Sequence, residues 1–236
     1  MKNLRKIILL SLFIIFSVAA NSQVLITLLL GDKLNSEKLE FGLEGGMNWS
    51  RTSGFESDDY ARFFNLGFYF DIQMKNQWRL YTGVLVKSNV GLDNLTENDL
   101  GALNVTNWDS IGEYKQVINQ FMVPALIKYN FKNHFYIEAG PQFGLRFKGF
   151  VEFNSDNDNI EGRTREDNKD MLQKLDVGLA AGLGYKLFKG EGWTIGAKYY
   201  YGFVDAYKNI PGTKSSSINL KVNIPIGKTP KPKTVE

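Results

Sequence analysis

The sequence predicts an all-β fold, an eight-stranded, antiparallel, up-and-down β-barrel that spans a membrane. Three observations carry this. An apolar leader opens the chain, apolar and polar residues then alternate with period two, and short polar turns alternate with long loops.

The leader comes first. Lys2, Arg5 and Lys6 precede an apolar run of 14 residues, Ile7 to Ala20. A membrane-spanning helix needs about 20 residues, so the run reads as the core of an export signal. The small residues Ala20 and Ser22 place cleavage between Ser22 and Gln23, with Ala19 as the alternative. The chain then divides into a signal (1–22), a short apolar segment (23–37), a barrel (38–226) and a basic, proline-containing tail (227–236).

The 28 basic and 25 acidic residues give a formal charge of +3. All three leader charges are basic, so the mature chain carries 25 of each sign. The excess of base belongs to the leader, and no nucleic-acid partner is implied. The chain has no cysteine, which excludes disulfides, thiolate zinc sites and a lipidated cysteine. Its 23 glycines and 14% aromatics, against 6 prolines, suit a strand-rich folded chain.

After the signal, Val24 to Leu30 is an apolar run with no decisive period. A short interfacial helix, a periplasmic plug or an additional strand would each fit, and the helix is preferred. The strands follow. The first, 38–49, puts Leu39, Phe41, Leu43, Met47 and Trp49 on one face and Glu40, Glu44 and Asn48 on the other. In the second, 62–74, Phe64, Leu66, Phe68, Phe70 and Ile72 oppose Asn65, Asp71 and Gln73. The third, 78–89, sets Trp78, Leu80, Val84 and Val86 against Arg79 and Lys87. The fourth, 117–129, sets Phe121, Val123, Ile127 and Tyr129 against Lys128. In the fifth, 134–148, Phe135, Ile137, Phe143, Leu145 and Phe147 oppose Glu138, Gln142 and Arg146. The sixth, 174–187, has Leu175, Val177, Leu179 and Leu183 against Asp176 and Lys186. The seventh, 192–204, has Trp193, Ile195, Tyr199, Tyr201 and Phe203 against Lys198. The last, 215–226, has Ile218, Leu220, Val222 and Ile224 against Asn219, Lys221 and Asn223.

No charge appears on the apolar face, and geometry decides which face points outward. An eight-stranded interior is only wide enough to be filled by side chains, so dozens of large apolar groups would not fit inside it. The polar face mixes charges with glycines such as Gly46, Gly67, Gly140, Gly182 and Gly184, which leave room for them. Apolar outside and polar inside is the membrane arrangement.

Short turns at 75–77, 130–133 and 188–191 alternate with longer segments at 50–61, 90–116, 149–173 and 205–214. Short periplasmic turns and long outer loops place both termini in the periplasm. Aromatics near the strand ends form two interfacial girdles, with Trp78, Tyr129, Phe135 and Trp193 by the turns and Trp49, Phe64, Phe147 and Phe203 by the loops. Pro124, Pro141 and Pro225 fall inside proposed strands, where each removes a ladder donor, so bulges are expected there.

Two stretches carry a family resemblance. Val24-Leu25-Ile26-Thr27-Leu28-Leu29-Leu30-Gly31-Asp32-Lys33-Leu34-Asn35, with Leu39-Glu40-Phe41-Gly42-Leu43, resembles the start of PorT-like outer-membrane β-barrel proteins of Bacteroidetes. Val123-Pro124-Ala125-Leu126-Ile127-Lys128-Tyr129, with Phe135-Tyr136-Ile137-Glu138-Ala139-Gly140-Pro141, is similar to the same family. The resemblance covers essentially the whole mature chain. It implies an OmpA/OmpX-like barrel in a bacterial outer membrane, among lipid and lipopolysaccharide. The founding member serves a protein secretion and gliding machinery. Many outer-membrane barrels end on an aromatic residue, whereas this chain continues past Ile226 into Lys228-Thr229-Pro230-Lys231-Pro232-Lys233.

A catalytic constellation is not evident. His134 is the single histidine, beside a short turn, and no serine with an orienting acid shares its level. The run Asn154-Ser155-Asp156-Asn157-Asp158-Asn159-Ile160-Glu161-Gly162 lacks the glycine and glutamate spacing of a calcium loop and reads as a solvated acidic segment. No cofactor or metal is expected.

The remaining candidates are the inward charges: Glu40, Glu44, Asp71, Glu138 and Asp176 against Arg79, Lys87, Lys128, Arg146, Lys186, Lys198 and Lys221. They are expected to pair and plug the lumen. The functional expectation is a non-enzymatic surface-interaction or envelope-structural protein acting through its outer loops. The alternatives are an accessory subunit of a secretion or gliding apparatus, contacting periplasmic partners through 24–37 and 227–236, and a small pore.

Overall fold

A computed structural model describes residues 35–36, 38–108, 112–155, 163–190 and 192–227. The proposed signal, the apolar run Val24 to Leu30, the stretch Asp156 to Gly162 and residues 228–236 lie outside the described residues.

The strands are β1 (Leu39–Thr52), β2 (Ala61–Lys75), β3 (Trp78–Ser88), β4 (Val90–Leu92), β5 (Gly112–Asn130), β6 (Phe135–Ser155), β7 (Arg163–Asp167), β8 (Leu175–Lys186), β9 (Thr194–Asp205) and β10 (Lys214–Pro225). One short helix, α1 (Glu97–Ala102), lies between β4 and β5. Eight of the strands form a ring in the order β1, β2, β3, β5, β6, β8, β9, β10, every neighbour antiparallel. β1 pairs with β10 as well as with β2, so this ring has no free edge, as a membrane-spanning sheet requires.

The outward face is the apolar one. Phe64, Phe68, Leu145, Leu179, Leu183, Trp193, Tyr201 and Leu220 are all exposed. Glu44, Asp71, Lys128, Glu138, Arg146, Asp176, Lys198 and Lys221 are buried in the lumen. At several lumen positions, Gly46 and Gly184 among them, only glycine fits. A Cβ on Gly46 would collide with the Leu220 carbonyl oxygen, and one on Gly184 with the Ile195 carbonyl oxygen and the Tyr136 ring.

The loop expectation needs correction. β5 begins at Gly112 and β6 runs to Ser155, so both extend far past the apolar band, and β4 and β7 add short ladders to their outer ends. The cause is a bulge opposite Asn119 and Gln120, where β6 carries Phe147 as an extra residue. Below it even-numbered residues of β6 point inward; above it Gly149, Val151 and Phe153 do, paired with Ile118, Gln116 and Tyr114. The alternation of the sequence reverses there, and the strand continues.

The proline expectation also fails. Pro124 pairs with Gln142 and Ile127 with Ala139 in the same register, the two positions between them being unpaired. Pro141 pairs with Leu179 in an unbroken ladder, and Pro225 is the last residue of its strand. Register shifts occur instead at Leu66/Gly67, Gln73/Lys75, Asn119/Gln120 and Lys214/Ser216.

Candidate functional site

The inward face builds a stack of polar contacts. Nearest the short turns, the Lys186 ammonium lies 2.6 Å from Glu40, whose other oxygen accepts the Tyr69 hydroxyl at 2.9 Å. Asp71 is held by the Arg79 guanidinium and by Lys128 at 2.7 Å. Arg79 and Lys128 are cross-strand partners, so one carboxylate offsets two adjacent bases.

Higher in the lumen Glu138 meets Lys221 at 2.6 Å, and Glu44 accepts the Tyr81 hydroxyl. Lys198 donates to the Gln142 side-chain oxygen at 2.9 Å. An amide ladder comes next: Asn48 donates to Asn65 at 2.6 Å, Asn65 to Asn219 at 3.1 Å and Asn219 to Ser217 at 2.9 Å. Near the outer end Arg146 pairs with Asp176 at 3.0 Å, both side chains fully buried. Arg146 also donates to the carbonyls of Gln173, Leu175 and Asp205.

Four tyrosines that the sequence reading assigned to neither face complete this interior. Tyr69, Tyr81, Tyr136 and Tyr200 are at most 2% exposed. Lys221 Nζ sits 3.9 Å from the Tyr81 ring centroid, and Lys128 Nζ sits 4.2 Å from that of Tyr136. Tyr81 and Tyr136 thus each take a lysine on the ring face, and all four side chains fill the lumen. The signal was available, because all four occupy the same parity as the charges of their strands.

Lys87, expected among the inward charges, is outside. Val86 is the extra residue of the bulge opposite Leu66 and Gly67, so Lys87 faces out beside Leu66 and its ammonium lies 5.8 Å from the Phe64 ring. The lumen charges then comprise five acids and six bases. His134 occupies a turn with φ of 70° and sets its ring edge-on to Tyr185.

Above the barrel the four long connections pack into a second apolar core. Leu92, Leu95, Leu100, Leu103, Tyr114, Ile118, Val151, Phe153, Leu172, Ala206 and Tyr207 are buried together, with Phe55 and Ile210 against them. Asp99 anchors it. Its carboxylate accepts Thr96 N–H at 3.1 Å in a capping box that starts α1, and takes Glu56 N–H at 2.7 Å and Ser57 N–H at 3.0 Å from the first connection. Asn168 donates to Gln116 at 2.7 Å, tying the third connection to β5. Outside this core, burial pushes the Glu152 carboxyl up, but the guanidinium groups of Arg163 and Arg165 outweigh it and hold the group below the usual glutamate range.

Among solved structures, the chain is similar to the attachment invasion locus protein Ail of Yersinia pestis, crystallised with the heparin analogue sucrose octasulfate. The two are 15% identical over 80% of this chain and 99% of that one, with a TM-score of 0.46. It is also similar to the neisserial surface protein A, at 9% identity over 80% of this chain and 97% of that one, with a TM-score of 0.41. A comparison with curated proteins found no match. The model of the outer membrane protein beta-barrel domain matches residues 22–208. The closed ring, its apolar outer face and that match together place this chain in the outer membrane protein beta-barrel domain family, as an integral protein of the bacterial outer membrane.

Proposed function

We propose that this protein is a non-enzymatic surface-interaction protein, acting through the cap that its four outer connections build. One observation carries the reading. The connections share a buried core of their own, so they present a shaped surface rather than independent mobile tips. Beneath them the lumen is filled by paired charges, amides and tyrosines, which argues against a steady pore. The long connections face the exterior, and both chain termini face the periplasm.

The test compares the protein in nanodiscs with a cap-loosened variant, Leu100→Asp with Leu103→Asp, on arrays of extracellular-matrix proteins and glycans. Binding that disappears in the variant, while the barrel stays folded, is the expected result. Binding that does not depend on the cap, or ohmic conductance of the unmutated protein in planar bilayers, would overturn the reading.

A second reading draws on the PorT-like resemblance, an accessory subunit of a secretion apparatus. The Asn35 side chain accepts from Phe41 N–H at 2.7 Å and donates to the Ile226 carbonyl, so Asn35 and Ile226 lie side by side at the short-turn mouth. Removing residues 24–34 and 228–236 should abolish assembly with periplasmic partners under this reading and leave cap-dependent binding untouched.

A further inference from the structure

Two of the bulges do the same thing at the same rim. The extra residue Val86 turns Lys87 outward, and the extra residue Phe147 turns Lys148 outward. Arg62 on β2 is exposed one outward position beyond Phe64, and Lys174, opposite Arg146 at the end of the β8 ladder, is exposed at the rim. In the ring, β2, β3, β5, β6 and β8 are consecutive, so the four bases form one arc. At about 4.8 Å per strand, four spacings make it roughly 19 Å wide.

These bases differ from others at this end of the molecule. Arg51 is paired with Asp58, Lys214 with Asp205, and Arg163 and Arg165 with Glu152. Arg62, Lys87, Lys148 and Lys174 form no ion pair with any described residue. Among and beside them the apolar band ends in Phe64, Phe121 and Phe147, the last two stacked at 4.7 Å. Uncompensated cations directly above a lipid-facing apolar band sit at the level of headgroup phosphates, where their stems lie on apolar surface and their heads stay polar.

We propose that this arc binds the phosphates of a phosphorylated glycolipid in the outer leaflet, with acyl chains against Phe64, Phe121 and Phe147. An arc of four bases this wide suits a headgroup with two separated phosphates better than a single one. The leaflet rests on the orientation proposed above; the binding chemistry does not.

The test is a titration in zwitterionic micelles, with the thermal unfolding midpoint as the readout. Its arms are bisphosphorylated lipid A, dephosphorylated lipid A and inorganic phosphate. The unmutated protein should be stabilised by bisphosphorylated lipid A alone, less so at high salt. The variant R62Q/K87Q/K148Q/K174Q should respond to it no better than to the dephosphorylated lipid. A control, K38Q/K75Q/K132Q/K189Q, removes four exposed bases at the opposite rim and should respond like the unmutated protein.

Equal stabilisation by dephosphorylated lipid, reproduction of the effect by inorganic phosphate, or a full response in the arc variant would overturn the proposal. If the quadruple variant does not fold, K87Q and K148Q singly should each raise the half-saturating lipid concentration about fivefold, and no change in either would overturn it. Because micelles impose no leaflet, an inverted orientation in cells leaves this titration unaffected, and the two failures are distinguishable.

Discussion

The carboxylate of Glu138 and the ammonium of Lys221 meet at 2.6 Å inside the barrel, joining β6 to β10, two strands that share no ladder. Both side chains are nearly inaccessible to water, and the Tyr81 and Tyr136 rings lie within 6 Å of the ammonium. A pair so enclosed is costly to break from one side. Glu138→Ala should therefore cost about 3–5 kcal/mol, because it strands a buried base. The double variant Glu138→Ala with Lys221→Met should recover a large part of that. Guanidinium unfolding in micelles measures both, and a double variant no more stable than the single would refute the coupling.

The outer face makes a depth-dependent prediction. Leu179 lies mid-strand and is 53% exposed to what would be lipid. Leu179→Arg should cost roughly 2–4 kcal/mol, whereas Phe203→Arg, near the outer end of β9, should cost about 0–1. Reversible folding into vesicles reads the difference. Equal costs at the two depths would mean that this face does not lie against hydrocarbon.

The cap should open separately from the barrel. Leu100 and Leu103 are essentially fully buried in the outer core. Truncating either to alanine should cost about 2–5 kcal/mol of local stability. Limited proteolysis should then cut within 95–108, while the barrel keeps its resistance to SDS at room temperature. Loss of barrel resistance in step with cap cleavage would show a single cooperative unit.

Acid should loosen the β6–β7 hairpin. The Glu152 carboxyl is held below its ordinary range by Arg163 and Arg165, although burial acts in the opposite direction. A carboxyl with a lowered folded pKa contributes stability that is complete above the unfolded value and disappears as pH falls through the folded one. Hydrogen exchange across 150–154 and 163–167 should accelerate below the usual glutamate range. Glu152→Gln should already exchange fast at neutral pH, with little further change on acidification.

Topology is tested by tags. A protease site inserted at Gly212, an exposed turn between β9 and β10, should be cut on intact cells. One at Asn76, in the tight turn between β2 and β3, should be protected until the outer membrane is permeabilised. Cleavage at Asn76 alone would invert the proposed orientation.

The eight ring strands, and the facing of nearly every residue in them, follow from local sequence pattern alone. Period-two alternation is a local property, and a charge-free face of Phe68, Leu179 or Leu220 can only lie against lipid when the interior is too narrow to hold it. Eleven of the twelve predicted lumen charges occupy inward positions for that reason; Lys87 does not, because one extra residue at Val86 shifts the parity and no rule of spacing announces a bulge. Partners lay beyond reach too. Glu138 and Lys221, or Arg146 and Asp176, meet only because ring closure and strand stagger bring them to one level, and closure is a property of all eight strands together. The cap was equally hidden. Leu100, Val151, Leu172 and Tyr207 belong to three separate connections, each read alone only as a long segment between strands, and they become a core only where the barrel rim holds those connections side by side.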